Sequence, residues 1–528
     1  MIVRALAALA ATTMLGSPAN QPPNSALATA LATSMCGSGE GTGAAGASAA
    51  VLVPGLTPAH IAVSSIGESQ AFFDQGLGQL FGFDYDEALK SFRKASALDP
   101  DCAMCGWGEA LALGPYINSG PIDAATIAKA RLLTLKALRS PALSDRDRAL
   151  VEAVHARHAP GGKQSGVHGD RYADTMIRHA ARWPDDDLVA VLAAEAIMDA
   201  QPWDYWQAGG RAAKGRAGEA LALVQRVIAR SPDNPQAIHL LIHLTEASAN
   251  PQLAADPASR LGRIAPAAPH MVHMPSHTWY RIGRFDDAIS ANKSAIAADE
   301  AYARAVGADP KFYGYFNHHS HFLASAATQN GDRATALAAA DALDAAITPE
   351  AALAKPYLQS RLVTALHARA RFLMPAEVLA LPSPDRRLPR LLLAWHGVRA
   401  EAFAMSGDTG SARAELLALR AARRDAAGSD KTANAVAAIA DSVARGRIAE
   451  AEGNLADALR QYRAAEAIEA NLGYFEPPLW PTPVAVLSGS VRAKQGDRAG
   501  AAADFRRALA QRPSNALASA GLTATARG

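Results

Sequence analysis

The chain lacks most of the features from which a function is usually read. Only three of its 528 residues are cysteine, too few for a disulfide-built scaffold, and there is no second CxxC to complete a zinc ribbon. Aromatic residues make up 6% and runs of Val, Ile and Thr are scarce, which argues against a sheet protein. Neither sign of charge prevails: 52 basic residues stand against 50 acidic ones, so nothing draws the chain to nucleic acid or to an anionic membrane. Beyond the first twenty residues no apolar run is long enough to cross a bilayer. HExxH, Walker, nucleophile-elbow and dinucleotide fingerprints are missing in context. The "GSGEGTG" at 37–43 has the glycines of a phosphate loop, but no strand precedes it and no periodic helix follows.

What is present is alanine in abundance, the best helix former, and the expectation is an all-α protein. The opening "MIVRALAALAATTMLGSPANQ" places Arg4 before an apolar run and then small residues. That is the layout of a secretory signal peptide over residues 1–20 and predicts an exported protein. Residues 21–60 read as a low-complexity linker rich in Gly, Ser, Ala and Pro, with Cys36 inside it.

Self-similarity takes the place of catalytic motifs. In "FFDQGLGQLFGFDYDEALKSFRKASALDP", residues 72–100, the residues Phe72, Gly76, Ala88, Phe92, Ala95 and Pro100 occupy the spacing of a 34-residue helical hairpin: large residues buried between two helices, small ones where the helices cross, proline at the stop. This pattern resembles the tetratricopeptide repeat (TPR) superfamily. The frame returns at Gly283 with Ala288, Gly331 with Ala336, Gly407 with Ala412, Gly453 with Ala458 and Tyr462, and Gly496 with Ala501 and Phe505. The clearest units are 69–102, 201–234, 235–268, 269–302, 317–350, 393–426, 439–472 and 482–515; the stretches 115–200 and 345–390 are degenerate. The resemblance implies an α-solenoid over 65–515, strongly wound, with a concave face that binds partners.

Eight of the fifteen histidines fall between 239 and 321. In the repeat frame His239 and His243, then His270, His273 and His277, then His318 and His321 take second, fifth and ninth positions of three successive first helices. These positions share one helical face and resemble those that line the groove of the family; His319 does not. Massed imidazoles without a ligand repel one another and resist burial when charged, a cost that metal coordination removes. His243, His273, His277, His318 and His321 are therefore the candidate metal ligands. Glu246 is a ligand or general base, and His239 and His270 line the groove or orient the ligands. Imidazole with a carboxylate suits Cu, Zn or Fe without distinguishing them. The alternative is a small-molecule or peptide ligand held in the groove by the same histidines, with no catalysis. Pro275 either kinks its helix or marks a later start.

Several other features attach to the groove. Trp203, Trp206 and Tyr280 are candidates for its wall, although such aromatics equally form core. Glu195 and Asp199, one turn apart, supply carboxylates to the same cavity or simply face solvent. Cys102 and Cys105 in "DCAMCGWG" suit a local disulfide, with a redox or metal role behind it; no His follows, so haem attachment is excluded. "NLGYFEPPLWPTP" resembles a segment of exported bacterial proteins of this repeat class, and its Tyr474, Glu476 and Trp480 are placed to fold back over the groove.

Overall fold

The computed structural model describes residues 50–426 and 431–527. The expected leader, Cys36 and the linker as far as residue 49 lie outside the described residues. Among the described residues the only extended pairings are two isolated bridges, Gln164 with Val167 and Trp206 with Ala213.

Helices run in antiparallel pairs: α1 (Gly67–Phe81) with α2 (Tyr85–Leu98), α3 (Ala103–Ala112) with α4 (Ala124–Leu138), α5 (Asp145–Arg157) with α6 (Gly169–Arg182), and α7 (Asp187–Ala200) with α8 (Ala217–Arg230). The middle holds α9 (Pro235–Glu246) with α10 (Ala255–Ile264), then α11 (Pro269–His273) and α12 (Pro275–Arg281) against α13 (Phe285–Ala305), then α14 (Phe316–Asn330) with α15 (Arg333–Ala346). The C-terminal part comprises α16 (Pro349–Ala354), α17 (Leu358–Phe372), α18 (Pro375–Leu379), α19 (Pro389–Met405) with α20 (Thr409–Ala426), α21 (Lys431–Ala451) with α22 (Leu455–Glu469), α23 (Ala485–Lys494) with α24 (Arg498–Gln511), and α25 (Ala516–Arg527). The chain is an all-α solenoid of TPR-like hairpins. The degenerate stretches 115–200 and 345–390 are helical as well.

The repeating glycine and aromatic are a single contact. The ring of Phe92 fills a slot between α1 and α3, so that a Cβ added to Gly76 or Gly108 would lie 2.9 or 2.5 Å from it. Phe505 is wedged in the same way against Gly489 and Gly521. A methyl at such a slot forces the ring out of its rotamer or the helices apart. Gly108→Ala should therefore cost about 1–3 kcal/mol, read as a lower melting temperature; a variant as stable as the parent would show that the slot has slack.

One expected hairpin departs from the pattern. Unit 201–234 forms only its second helix, α8, and α7 takes the place of its first. Residues 201–216 are instead a loop, because Gly209 and Gly210 turn through left-handed φ of 83° and 69°, which a helix cannot accommodate. A disulfide joins Cys102 to Cys105 at the start of α3.

The coil is tightly wound, and both ends reach its middle. From the N-terminal side, Gln79 Nε2 donates to Tyr302 OH at 2.9 Å, and the Phe83 carbonyl accepts from Tyr315 OH at 2.9 Å. From the C-terminal side, Asn515 Nδ2 donates to Gln329 Oε1 at 2.7 Å. The first helices α9, α11–α12 and α14 are thereby enclosed along the superhelix axis.

Candidate metal centre

Local sequence fixes how each histidine is presented. Asn234 caps α9 by accepting from the Ala237 amide at 2.9 Å, and Pro235 occupies the first turn, where its missing N–H costs nothing. Every residue of α9 is buried. Pro275 has no amide to give, so the next first helix divides at Met274 into α11 and α12. Met274 itself keeps helical angles (φ −52°, ψ −36°), and His273 and His277 stay one turn apart on a common face. Gly331, with φ of 83°, closes α14.

Seven of the eight clustered histidines crowd the axis. Six of them form two groups of three in which one ring nitrogen from each lies within 4.8 Å of the other two: His239 with His243 and His270, and His273 with His277 and His318. All six rings are buried, none more than 2% exposed. His243 Nε2 is 3.1 Å from His239 Nε2; His273 Nε2 is 2.9 Å from His277 Nε2 and 3.0 Å from His318 Nε2.

The opposite edges of these rings determine what those short contacts mean. His239 Nδ1 lies 2.7 Å from the Phe81 carbonyl, which can only accept. His243 Nδ1 and His277 Nδ1 each lie 2.6 Å from one oxygen of the Glu246 carboxylate. His273 Nδ1 lies 2.7 Å from Asn292 Oδ1, and Asn292 is oriented by donating its Nδ2 to the Ala288 carbonyl at 2.8 Å. All four rings thus carry their proton on Nδ1 and turn an Nε2 lone pair inward. Two such pairs meet lone pair to lone pair at about hydrogen-bond distance with no proton between them. Burial, reinforced by neighbouring imidazoles, holds His239 and His273 well below the usual histidine range, so neither of these rings supplies a proton to the contact. A metal ion bonded at roughly 2.0–2.1 Å to each nitrogen fits between them.

Glu246 ties the two groups together. Burial pushes its carboxyl up, but His277 and His243 outweigh that and hold it below the ordinary carboxylate range. Tyr474, from the segment after α22, reaches the same carboxylate: its hydroxyl is 2.9 Å from Glu246 Oε2 and 2.7 Å from Glu476 Oε2. Burial pushes the Glu476 carboxyl up from its ordinary range, and the Tyr474 hydroxyl stands between the two carboxyl groups as the donor within reach of both. Arg281 Nε holds the end of α9 by donating to the Glu246 carbonyl at 2.7 Å.

Two left-handed residues other than glycine wall the first group. Phe83 (φ 56°) stacks on His243 with centroids 5.5 Å apart and an interplanar angle of 10°, and Trp203 (φ 62°) meets the same ring edge-on at 5.3 Å. Such backbone strain persists only where surrounding contacts enforce it.

The expected site residues divide as follows. His243, His273, His277 and His318 converge, and His239 and His270, read from sequence as groove-lining, stand in the same rank. Among the described residues neither ring nitrogen of His270 has a hydrogen-bond partner. His321 lies apart, its Nε2 2.8 Å from Thr364 Oγ1. Glu246 grips two histidines by Nδ1, which is the position of an orienting group. Trp206 donates its indole N–H to the Leu244 carbonyl at 2.7 Å, and Tyr280 pairs with Ser325; neither reaches the imidazoles. His319, set aside in the repeat frame, is buried 4.6 Å (centroid to centroid) from His273, its Nδ1 2.6 Å from Asp299 Oδ2. Its partner lies on α13, and no spacing within α14 announces that. Asn292 and the Phe81 carbonyl are likewise invisible to histidine counting.

Glu195 and Asp199 sit away from the imidazoles, in a separate buried network. Glu195 accepts from Tyr85 OH and from Gln236 Nε2, each at 3.0 Å, and Asp199 pairs with Arg157 at 2.9 Å. Burial, then the Asp199 charge, pushes Glu195 up to about 8 from an ordinary 4.5. A carboxyl raised on folding binds its proton more tightly in the native state, so its contribution to stability is present at low pH and is lost as pH climbs through 4.5 towards about 8. Glu195→Gln should therefore flatten the decline in melting temperature over that interval and melt above the parent at pH 8. Parallel profiles for the two proteins would contradict this assignment.

Fold and site together define the class: an all-α, TPR-like solenoid with a buried histidine cluster on its axis. No family model matches the sequence, and no curated protein does. Similar solved structures include a human IFIT1 dimer with m7Gppp-AAAA (12% identity, 85% of this chain and 91% of that one, TM-score 0.30). Yeast Tom70 (11%, 87% and 95%, TM-score 0.29) and the TPR domain of P58(IPK) (11%, 87% and 98%, TM-score 0.23) are others. The class stated above rests on this chain's own hairpins and histidines.

Proposed function

We propose that this is an exported transition-metal protein whose solenoid serves to enclose a histidine-built metal centre used for metal-dependent chemistry or metal handling. The observation that carries the reading is the pair of short Nε2 contacts, His239 to His243 and His273 to His277, between rings whose protons are held on Nδ1. Donors of this kind suit Cu, Zn or Fe. The leader sequence and the Cys102–Cys105 disulfide support export.

The test is elemental analysis of untagged protein after exposure to each metal in turn. Up to two equivalents per chain are expected, one for each group of three. His318→Ala should lower the content by one equivalent, whereas His321→Ala, which removes a ring turned towards Thr364, should leave it unchanged. A folded protein that retains no Cu, Zn or Fe above background would refute the reading and favour a groove that binds a peptide or small molecule.

A further inference from the structure

The two groups of histidines are parts of one cluster. Ring centroids within a group are 4.6 to 6.3 Å apart. Across the boundary, His243 lies 5.8 Å from His277, His270 5.8 Å from His273, and His270 6.3 Å from His318. Rings of different groups are thus as close as rings of the same group, and one carboxylate orients a ring of each. Three imidazoles per ion leave each ion an open coordination position.

Resting on the metal reading above, we infer that the six histidines hold a pair of cuprous ions and that the pair takes up dioxygen between them. Charge selects the metal. The cost of bringing an ion into a buried site rises steeply with its charge, and among the described residues Glu246 is the only carboxylate in hydrogen-bond contact with the six rings. Both its oxygens are already occupied by Nδ1 groups, so an ion that prefers oxygen donors finds none. Two divalent ions side by side would repel strongly here; two monovalent ions bring half the charge and accept imidazole donors.

Charge also selects the ligand. When dioxygen binds, each Cu(I) gives up one electron, the O–O double bond becomes a single bond, and peroxide bridges two Cu(II) ions; no proton is consumed. Two monovalent cations and one carboxylate become two divalent cations, one peroxide dianion and one carboxylate. The formal charge of the pocket is therefore unchanged, so no net charge has to enter or leave the buried site. A charged or bulky oxidant would have to cross a site whose rings are at most 2% exposed; dioxygen is small and neutral. A hollow bounded by Gln79, Asp84, Tyr302, Tyr313 and Tyr315 reaches His270, the ring whose two nitrogens are both unpartnered.

Full-length protein freed of metal is loaded with Cu(I) without oxygen, then opened to air in a closed oxygen-electrode cell, with electron paramagnetic resonance recorded afterwards. One O2 consumed per two copper ions is expected, with a cupric signal far below the total copper because the two spins are coupled. His277→Ala, and His318→Asn as a milder second variant checked by circular dichroism, should each bind one copper and lose oxygen uptake entirely. Two copper ions bound without oxygen uptake, or a cupric signal accounting for all the copper, would overturn the paired site while leaving a metal protein. Failure to retain Cu, Zn or Fe would overturn both readings.

Discussion

Replacing Glu246 by glutamine is expected to disable both groups of histidines with a single atom exchange. The carboxylate accepts from His243 Nδ1 on one oxygen and from His277 Nδ1 on the other, each at 2.6 Å. An amide offers one oxygen and one NH2 group in the same places. The ring facing the NH2 group must present a lone pair there, so its proton moves to Nε2 and projects into the position a metal would occupy. That ring can no longer act as a ligand, and its group loses its ion. The other ring keeps its tautomer but loses a charged acceptor; removing an orienting partner of this kind commonly weakens metal affinity about 10- to 100-fold. Metal titration of E246Q should thus show one site gone and the other weakened by about that factor. Two equivalents bound with parental affinity would mean that Glu246 does not control either site.

Removing the metal is expected to have the second large effect, on stability. Without an ion, the inward lone pairs of His239 and His243 face each other at 3.1 Å and those of His273 and His277 at 2.9 Å. An ion that binds only the folded chain stabilises it by about 2.7 kcal/mol when present at 100 times its dissociation constant. Two such sites give about 5 kcal/mol, comparable with the whole stability of many domains. A thermal melt should rise by several degrees when metal is added to the stripped protein and fall again with a chelator. His273→Ala should remove the part of that rise belonging to its own group. Melting curves that superimpose with and without metal would refute the fit between these nitrogens and an ion.

The repeat was legible because its residues meet as local neighbours. A glycine on one helix and an aromatic on the next, as at Gly76 and Phe92, sit in the same hairpin, and the spacing between them is set by the hairpin itself. The convergence of His243, His273, His277 and His318 was legible for the same reason: equivalent positions in successive first helices face the same way. The exceptions arose where contacts cross between distant parts of the chain. His321 has the right register but meets Thr364 from α17, and His270, expected to line the groove or orient the ligands, stands within a group of three. His319 lacks the register and is nonetheless buried beside His273, because α14 has neighbours on every side.

The sequence by itself determined that the chain is helical, that it repeats, and that imidazoles from three successive hairpins share one face, since each of these depends on spacings of a few residues. Only the tertiary structure decided which imidazoles become a cluster and which way their protons point. The Phe81 carbonyl lies 158 residues from His239, and Tyr474 lies 228 from Glu246. Such partners meet only when the superhelix winds tightly enough to bring both ends of the chain to its middle.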